Sequence, residues 1–284
     1  MRLCRFDNNR LGLVLQDRVV DVTDALDGLD ACAAGPHVDA VIAALPQLRP
    51  RIEAAAATAP SHPLSAIRLL SPVASPGKIV AAPVNYAKHL DEVLASDELH
   101  HGQRIEEIHR VGLFLKAPSS LVGPSDSVRV RFPDRRTDHE VELAAVIGRT
   151  ADRVTKEDAL DYVAGYSIGL DITLRGPEER SFRKSIDTYT VLGPWMVTAD
   201  EFGPPIDRQL RLAVNGEPRQ EANTRNLLLS VADLIAWASS FYTLHPGDIL
   251  LTGTPEGVGP IRPGDVMDAS IEGIGAIRIA VEAA

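Results

Sequence analysis

Short runs of Val, Leu and Ile recur along the chain, most of them bounded by Gly, Pro, Asp or Asn. Runs of this length and composition predict strands rather than helices. The first is a hairpin over 11–22, with Gly12-Leu13-Val14-Leu15 and Val19-Val20-Asp21-Val22 joined by a Gln16-Asp17-Arg18 turn. Residues 31–59 are Ala-rich and helix-favouring, with Pro36, Pro46 and Pro50 expected to break the helix. Ala59-Pro60-Ser61-His62-Pro63 reads as a linker. A short strand follows over 78–82, then a helical stretch from Asn85 to about Val111, in two pieces around His100-His101-Gly102. Strands dominate from there, over 114–115, 128–130, 141–147, 163–172, 195–197, 210–214, 249–252, 266–271 and 276–281. Two further helices are predicted, over 156–162 capped by Thr155, and over 230–241 capped by Ser230 with Asp233 at the third position. Many strands and few helices indicate an α+β, mainly β fold and not an alternating βαβ wind. Residues 1–70 read as a small N-terminal α/β unit and residues 71–284 as the larger unit.

The chain of 284 residues is long enough for a sizeable core, and with 45% hydrophobic and only 5% aromatic residues that core is aliphatic. A formal net charge of −10 argues against a nucleic-acid partner. The basic clusters Arg129/Arg131 and Arg135-Arg136 read as strand-edge and turn charges. No apolar run is long enough to span a bilayer, and the segment Met1-Arg2-Leu3-Cys4-Arg5-Phe6-Asp7 is too polar for a secretory core. Cys4 and Cys32 form neither a metal-ligand spacing nor a disulfide framework. Together these set a cytoplasmic expectation. No Gly-x-Gly-x-x-Gly opens a helix after a strand, and Gly253-Thr254-Pro255-Glu256-Gly257-Val258-Gly259 lacks the Lys-Ser/Thr of a phosphate loop. The Gly-x-Ser-x-Gly spacing of Gly165-Tyr166-Ser167-Ile168-Gly169 falls inside the strand predicted over 163–172 and not at a strand-to-helix elbow, and no His-Glu-x-x-His is present.

Three carboxylates carry the most chemistry. Glu140 and Glu142 lie in the strand-like run Asp138-His139-Glu140-Val141-Glu142-Leu143, and Asp171 follows twenty-nine residues after Glu142 in another. Alternate residues of a strand share a face about 7 Å apart, so the two glutamates can converge on one ion while Val141 turns into packing. A buried carboxylate needs a proton, a partner or a cation. An all-oxygen set suits Mg²⁺, Mn²⁺ or Ca²⁺ better than Zn²⁺ and leaves positions open for water and substrate. Spacing alone leaves a second reading equally open, two acids on a wet strand face with Asp171 starting a turn. His89 and Glu92 stand three apart in the predicted helix. They form either a general-base pair, the acid fixing the imidazole tautomer, or a surface histidine beside an acid. Arg175 and Lys184 are candidates to hold a substrate carboxylate or an oxyanion, or are solvated loop charges.

In this order the motifs resemble the fumarylacetoacetate hydrolase family, over nearly all of residues 78–284. The resemblance rests on Asn85-Tyr86-x-x-His89-x-x-Glu92, Phe114-Leu115-Lys116-x-Pro118-Ser119-Ser120, Glu140-Val141-Glu142-Leu143 and Leu170-Asp171-Ile172-Thr173. It continues through Arg183-Lys184-Ser185, Leu192-Gly193-Pro194-Trp195 and Leu251-Thr252-Gly253-Thr254-Pro255. It implies a distorted β-roll catalytic domain, usually in a homodimer. It also implies Mg²⁺ or Mn²⁺ on Glu140, Glu142 and Asp171, and a His89–Glu92 dyad that activates water or moves a proton. Lys184 is then a catalytic residue on the substrate's polar head, and Tyr86, Arg175 and Thr254 are substrate contacts. The chain departs from the family's usual Val-Gly-Leu-Asn-Tyr at Ala82-Pro83-Val84-Asn85-Tyr86. In relatives the helix matching residues 92–111 can close as a lid; the alternative is a permanently packed surface helix.

The resemblance implies an enzyme of small 2-oxo acids that uses a cation-stabilised enolate. The expected reaction is C–C hydrolysis of fumarylpyruvate-like acylpyruvates in aromatic-compound catabolism. The alternatives are isomerisation, tautomerisation or decarboxylation of 2-hydroxyhepta-2,4-dienedioate-type or oxaloacetate-like acids, or a metal-binding member without turnover.

Overall fold

The computed structural model describes residues 1–30, 35, 37–100 and 108–284. Cys32 and Pro36, and the predicted helix break at His101-Gly102, lie outside the described residues. The strands of the first third are β1 (Arg2–Phe6), β2 (Arg10–Leu15), β3 (Arg18–Asp21), β4 (Ser61–Pro63), β5 (Leu69–Leu70) and β6 (Ile79–Ala81). Next come β7 (Phe114–Lys116), β8 (Leu121–Val122), β9 (Val128–Val130), β10 (Thr137–His139), β11 (Val141–Ile147), β12 (Val163–Asp171), β13 (Thr173–Leu174) and β14 (Thr190–Thr198). The last are β15 (Gln209–Val214), β16 (Glu217–Asn223), β17 (Ile249–Leu251), β18 (Gly259–Pro260), β19 (Val266–Ile271) and β20 (Gly275–Ala283). The helices are α1 (Ala40–Ala43), α2 (Leu45–Ala56), α3 (Ala87–Leu94), α4 (Asp97–His100), α5 (Ile108–Val111), α6 (Arg180–Lys184), α7 (Ala199–Phe202) and α8 (Val231–Phe241).

A 12-stranded sheet forms the body, in the order β4-β3-β2-β1-β14-β12-β11-β17-β6-β7, with β5 against β1 and β8 against β14. A five-stranded sheet, β16-β15-β19-β20-β9, and a three-stranded sheet, β13-β10-β18, complete it. The alternation along β11 assigns the two faces. Val141, Leu143, Ala145 and Ile147 enter one hydrophobic cluster, shared with β15, β19, β20 and α8. Ala144 and Val146 enter a second cluster with Leu11, Leu13, Val41, Ile42, Leu48 and Ile52. Glu142 has the parity of Ala144 and Val146, so it belongs to that second face, at the end the N-terminal residues do not cover.

The strands expected around 141–147, 163–172 and 266–271 are present, and α8 has the full capping box of Ser230 and Asp233. Several local expectations are corrected. Residues 156–162 form turns ending in a 3₁₀ helix, Ala159–Tyr162, although Thr155 Oγ1 does accept from the Asp158 amide at 3.3 Å. The break expected at Pro46 is present, between α1 and α2 at Ala44, whereas Pro50 does not break α2. Pro46 sits in the first turn, where a missing N–H is harmless, and buried Leu48 and Ile52 hold the helix past Pro50. The strand β16 was not expected, since its run Glu-Pro-Arg-Gln-Glu-Ala-Asn is almost wholly polar.

The large sheet runs through residue 70 without a break. Leu3 pairs with Met196 across β1 and β14, and Met1 O accepts from the Thr198 amide. No helix among the described residues is long and apolar enough to cross a membrane. A chain cut to residues 71–284 exposes one edge of β14 and the apolar face that Leu48 and Ile52 cover. Such a chain is expected to aggregate in size-exclusion chromatography with light scattering. A monodisperse, cooperatively melting product would show that residues 71–284 suffice.

Candidate metal centre and active site

Glu140 occupies the step between β10 and β11, Glu142 is the second residue of β11, and Asp171 ends β12. The strand register brings them together. Val141 lies opposite Leu170, and the Asp171 amide donates to Glu140 O at 2.9 Å. One carboxylate oxygen from each of the three lies within 4.8 Å of the others, and all three side chains are buried. The wet-face alternative is thereby excluded.

Cations surround the triad. Lys184 Nζ donates to Glu140 Oε2 at 2.7 Å and to Asp171 Oδ2 at 2.6 Å. Lys116 Nζ donates to Asp171 Oδ1 and, at 2.7 Å, to Tyr189 O. Arg175 spans Asp138 Oδ2 at 2.7 Å and Glu140 Oε1 at 3.0 Å. Burial opposes ionisation of Glu140, yet Lys184 and then Arg175 hold its carboxyl well below the usual range. Glu142 is the exception. Among the described residues it has no ion pair, and its Oε2 accepts from the Gly253 amide at 2.6 Å. Burial, then Asp171, push its carboxyl well above the usual range. An oxygen-only donor set this close, bridged by an ammonium and holding one uncompensated acid, fits a hard divalent cation.

A helix and a turn complete the site. In α3, His89 Nδ1 meets Glu92 Oε2 at 2.8 Å, and Glu92 Oε1 accepts from the Gly257 amide at 3.0 Å. Fully buried Asn85 fixes the start of α3: its Nδ2 donates to Leu229 O and Thr252 O, and its Oδ1 accepts from the Leu229 amide. The turn after Thr252 needs φ +96° at Gly253, where a Cβ would meet Asn85 Cβ at 2.7 Å, so glycine is required there. The dyad thus forms with Pro83 in place. A cavity of about 50 Å³ is lined by His89, Glu140, Glu142, Lys184, Arg175 and Thr254, among others, and is roofed by Val93 and Leu99 of α3 and α4. Those two residues cluster with Val84 and Val258.

A family model described as the C-terminal part of fumarylacetoacetate (FAA) hydrolase matches residues 78–282. The chain belongs to the fumarylacetoacetate hydrolase family. It is 56% identical over 284 residues to a maleylpyruvate hydrolase of Aquipseudomonas alcaligenes, covering 99% of each chain. The maleylpyruvate hydrolase of Sphingobium sp. SYK-6, crystallised with manganese(II) and pyruvate, matches with a TM-score of 0.84 at 41% identity over 100% of this chain and 99% of that one. A mitochondrial oxaloacetate tautomerase of Xenopus laevis is 35% identical over 299 residues, covering 98% of this chain and 89% of its own.

Within this family fold, the residues singled out in the sequence converge unevenly. Lys184 and His89 face the triad's cavity. Arg175 lines it too, but its guanidinium is engaged by Asp138 and Glu140. The Thr254 hydroxyl donates to Val141 O and accepts from Gln220 Nε2 at 2.8 Å, so it secures the turn. Tyr86 is buried and is not among the residues that line the cavity; its hydroxyl has no partner among the described residues, and burial, then Glu142, raise its proton affinity.

Lys116, Asn85 and Gln220 were not singled out for roles. Gln220, 1% exposed on β16, accepts from the Val141 amide at 3.1 Å, meets His139 Nδ1 at 3.1 Å and donates to Pro255 O at 2.9 Å. A lone apolar-parity Gln in a polar strand was the available signal. Gln220→Leu strands several buried polar groups and is expected to lower unfolding stability by about 1–3 kcal/mol in urea titration.

Proposed function

We propose that the protein hydrolyses the C–C bond of a dianionic acylpyruvate such as maleylpyruvate or fumarylpyruvate, releasing pyruvate and a dicarboxylic acid in aromatic-compound catabolism. The observation that carries this reading is the convergence of His89, Glu140, Glu142 and Lys184 on one buried cavity. The relatedness to two maleylpyruvate hydrolases supports the substrate class. Held by Glu140, Glu142 and Asp171, a bound Mn²⁺ or Mg²⁺ supplies Lewis acidity to the 2-oxo acid end of the substrate.

The protein's own groups do the rest. Glu92 takes the Nδ1 proton of His89 in a hydrogen bond, which leaves Nε2 as the base. That base removes a proton from water as the water oxygen bonds to the distal carbonyl carbon. The bond from that carbon to the methylene then breaks, its electron pair goes to the methylene carbon, and His89 returns the proton there. Water and acylpyruvate become pyruvate and a carboxylic acid, which ionises. Lys184 is placed to hold the polar head. A cavity of about 50 Å³ holds one or two waters, and outward movement of α3 and α4, which roof it, is proposed to admit substrate.

Buried, free Cys4, its thiol pushed up to about 12, suits a reducing compartment such as the cytoplasm. A homodimer is proposed as well, since Phe182 at 76% exposure offers an apolar anchor to a partner.

The relationship to an oxaloacetate tautomerase favours a second reading, proton movement without cleavage. Incubation of maleylpyruvate and oxaloacetate with Mn²⁺ separates the two. Equimolar pyruvate and maleate support hydrolysis, whereas keto–enol exchange without cleaved acid supports the second reading. Glu140→Gln is expected to abolish both Mn²⁺ binding by calorimetry and turnover, and retained turnover would refute the metal assignment. His89→Ala should bind Mn²⁺ normally while hydrolysis falls by about 10²–10⁴-fold. Wild-type hydrolysis in that variant would remove the dyad from the mechanism.

A further inference from the structure

Every acid of the triad's surroundings that forms an ion pair does so with Lys116, Lys184, Arg175 or Arg136. Two more cations line the same cavity, Arg180 and Arg183, both on α6. Neither forms an ion pair among the described residues. Arg183 is 8% exposed, its Nε has no partner, and one long contact, Nη1 to Leu174 O at 3.3 Å, is the only hydrogen bond of its side chain among the described residues. Arg180 rests its guanidinium on the Phe114 ring at 5.6 Å, and Lys184 Nζ sits 5.4 Å from the same ring. Burial, then Arg175, pull Arg183 down to about 10.

A guanidinium has five donors in a planar fork and is costly to bury with most of them unused. This costly arrangement is resolved when an anion arrives, because a planar carboxylate accepts two parallel N–H bonds. The triad and Lys184 already mark the 2-oxo acid end. Arg183 borders a second, outer cavity of about 510 Å³ as well, walled also by Arg129, Arg131 and Arg135. It therefore stands on the boundary between the reacting centre and the space into which a longer substrate extends.

We infer that Arg183, with Arg180 beside it, receives the distal carboxylate of a dicarboxylic acylpyruvate and sets the preference for dianionic over monoanionic substrates. This rests on the acylpyruvate hydrolase reading and adds the group that reads the substrate's far end. Chemically, Arg183 is a specificity residue and takes no part in bond breaking.

The test compares wild type, Arg183→Met and Arg183→Lys, each checked for an unchanged melting temperature. Two substrates are used with Mn²⁺: maleylpyruvate, and a neutral-tailed acylpyruvate of equal chain length. With maleylpyruvate, Arg183→Met is expected to raise KM by about 10–100-fold with little change in kcat, Arg183→Lys recovering part of the loss. With the neutral-tailed substrate, both variants should stay within about twofold of wild type. Equal losses on both substrates, or no loss on either, would overturn the assignment. If the wild type hydrolyses neither acid, the acylpyruvate reading fails. Calorimetry with maleate against butyrate then decides on Arg183 independently. Maleate binding that weakens at least tenfold in Arg183→Met, with butyrate unchanged, upholds it, and equal maleate binding by both proteins sinks it. Should Arg183→Met fail to fold, the same comparison runs on Arg183→Lys and Arg180→Met.

Discussion

Burying three carboxylates within 4.8 Å of one another is the constraint around which this molecule is arranged. Their mutual repulsion in a poorly solvated site is large, and cations must answer it. Each cation comes from a different part of the chain. Lys116 comes from β7 at the sheet edge, Arg175 from the residue after β13, and Lys184 from the end of α6. The carboxylates thus tie β7 and the segment that follows β12 to the β11–β12 pair. Glu142, which forms no ion pair among the described residues, is the residual imbalance that a divalent cation would answer.

The rest of the fold reads as support for that cluster. Both faces of β11 and β12 are covered, so their residues are apolar in either parity until the strands reach the site. The N-terminal residues seal one half of the second face, and α3, α4 and α6 close the half that holds the acids. Asn85 and Gln220 act as rivets between layers. Asn85 locks the dyad helix to the Gly253 turn, and Gln220 locks the five-stranded sheet to β11 and the same turn. Full hydrogen bonding makes such buried amides rigid, which keeps His89 and Glu142 in fixed relation.

What the sequence made legible follows from range. The strands β11, β12 and β19 were visible as apolar runs, and the α8 cap as Ser230 with Asp233, because those signals are local. The triad was legible as spacing on β11, and its convergence with Asp171 needed the strand register. Arg175 was expected on substrate, but the antiparallel pairing of Asp138 with Thr173 places Asp138 and Glu140 against it, and no local pattern encodes that. Helix propensity failed at 156–162, where the chain turns to enter β12, and the proline rule failed at Pro50, where burial outweighed one lost hydrogen bond. Polar β16 was invisible because its inward residues, Gln220, Ala222 and Asn223, include only one apolar side chain.

The division of labour within the cavity bears on how one site serves several reactions. On the proposed reading the acid triad and Lys184 concern the 2-oxo acid end, which acylpyruvates and oxaloacetate share, and the His89–Glu92 pair acts at the distal carbonyl. Nothing in that half distinguishes a long dianion from a short one. Discrimination has to come from groups farther along, and α6 supplies them on a five-residue helix, apart from the strands that carry the triad. A side chain there can change without disturbing β11 or β12. On the proposed reading adjacent Arg183 and Lys184 divide the substrate between them, the lysine on the reacting head and the arginine toward the tail. In that proposed division, water reaching His89 over the bound acid separates hydrolysis from proton movement, and the α6 arginines read substrate length.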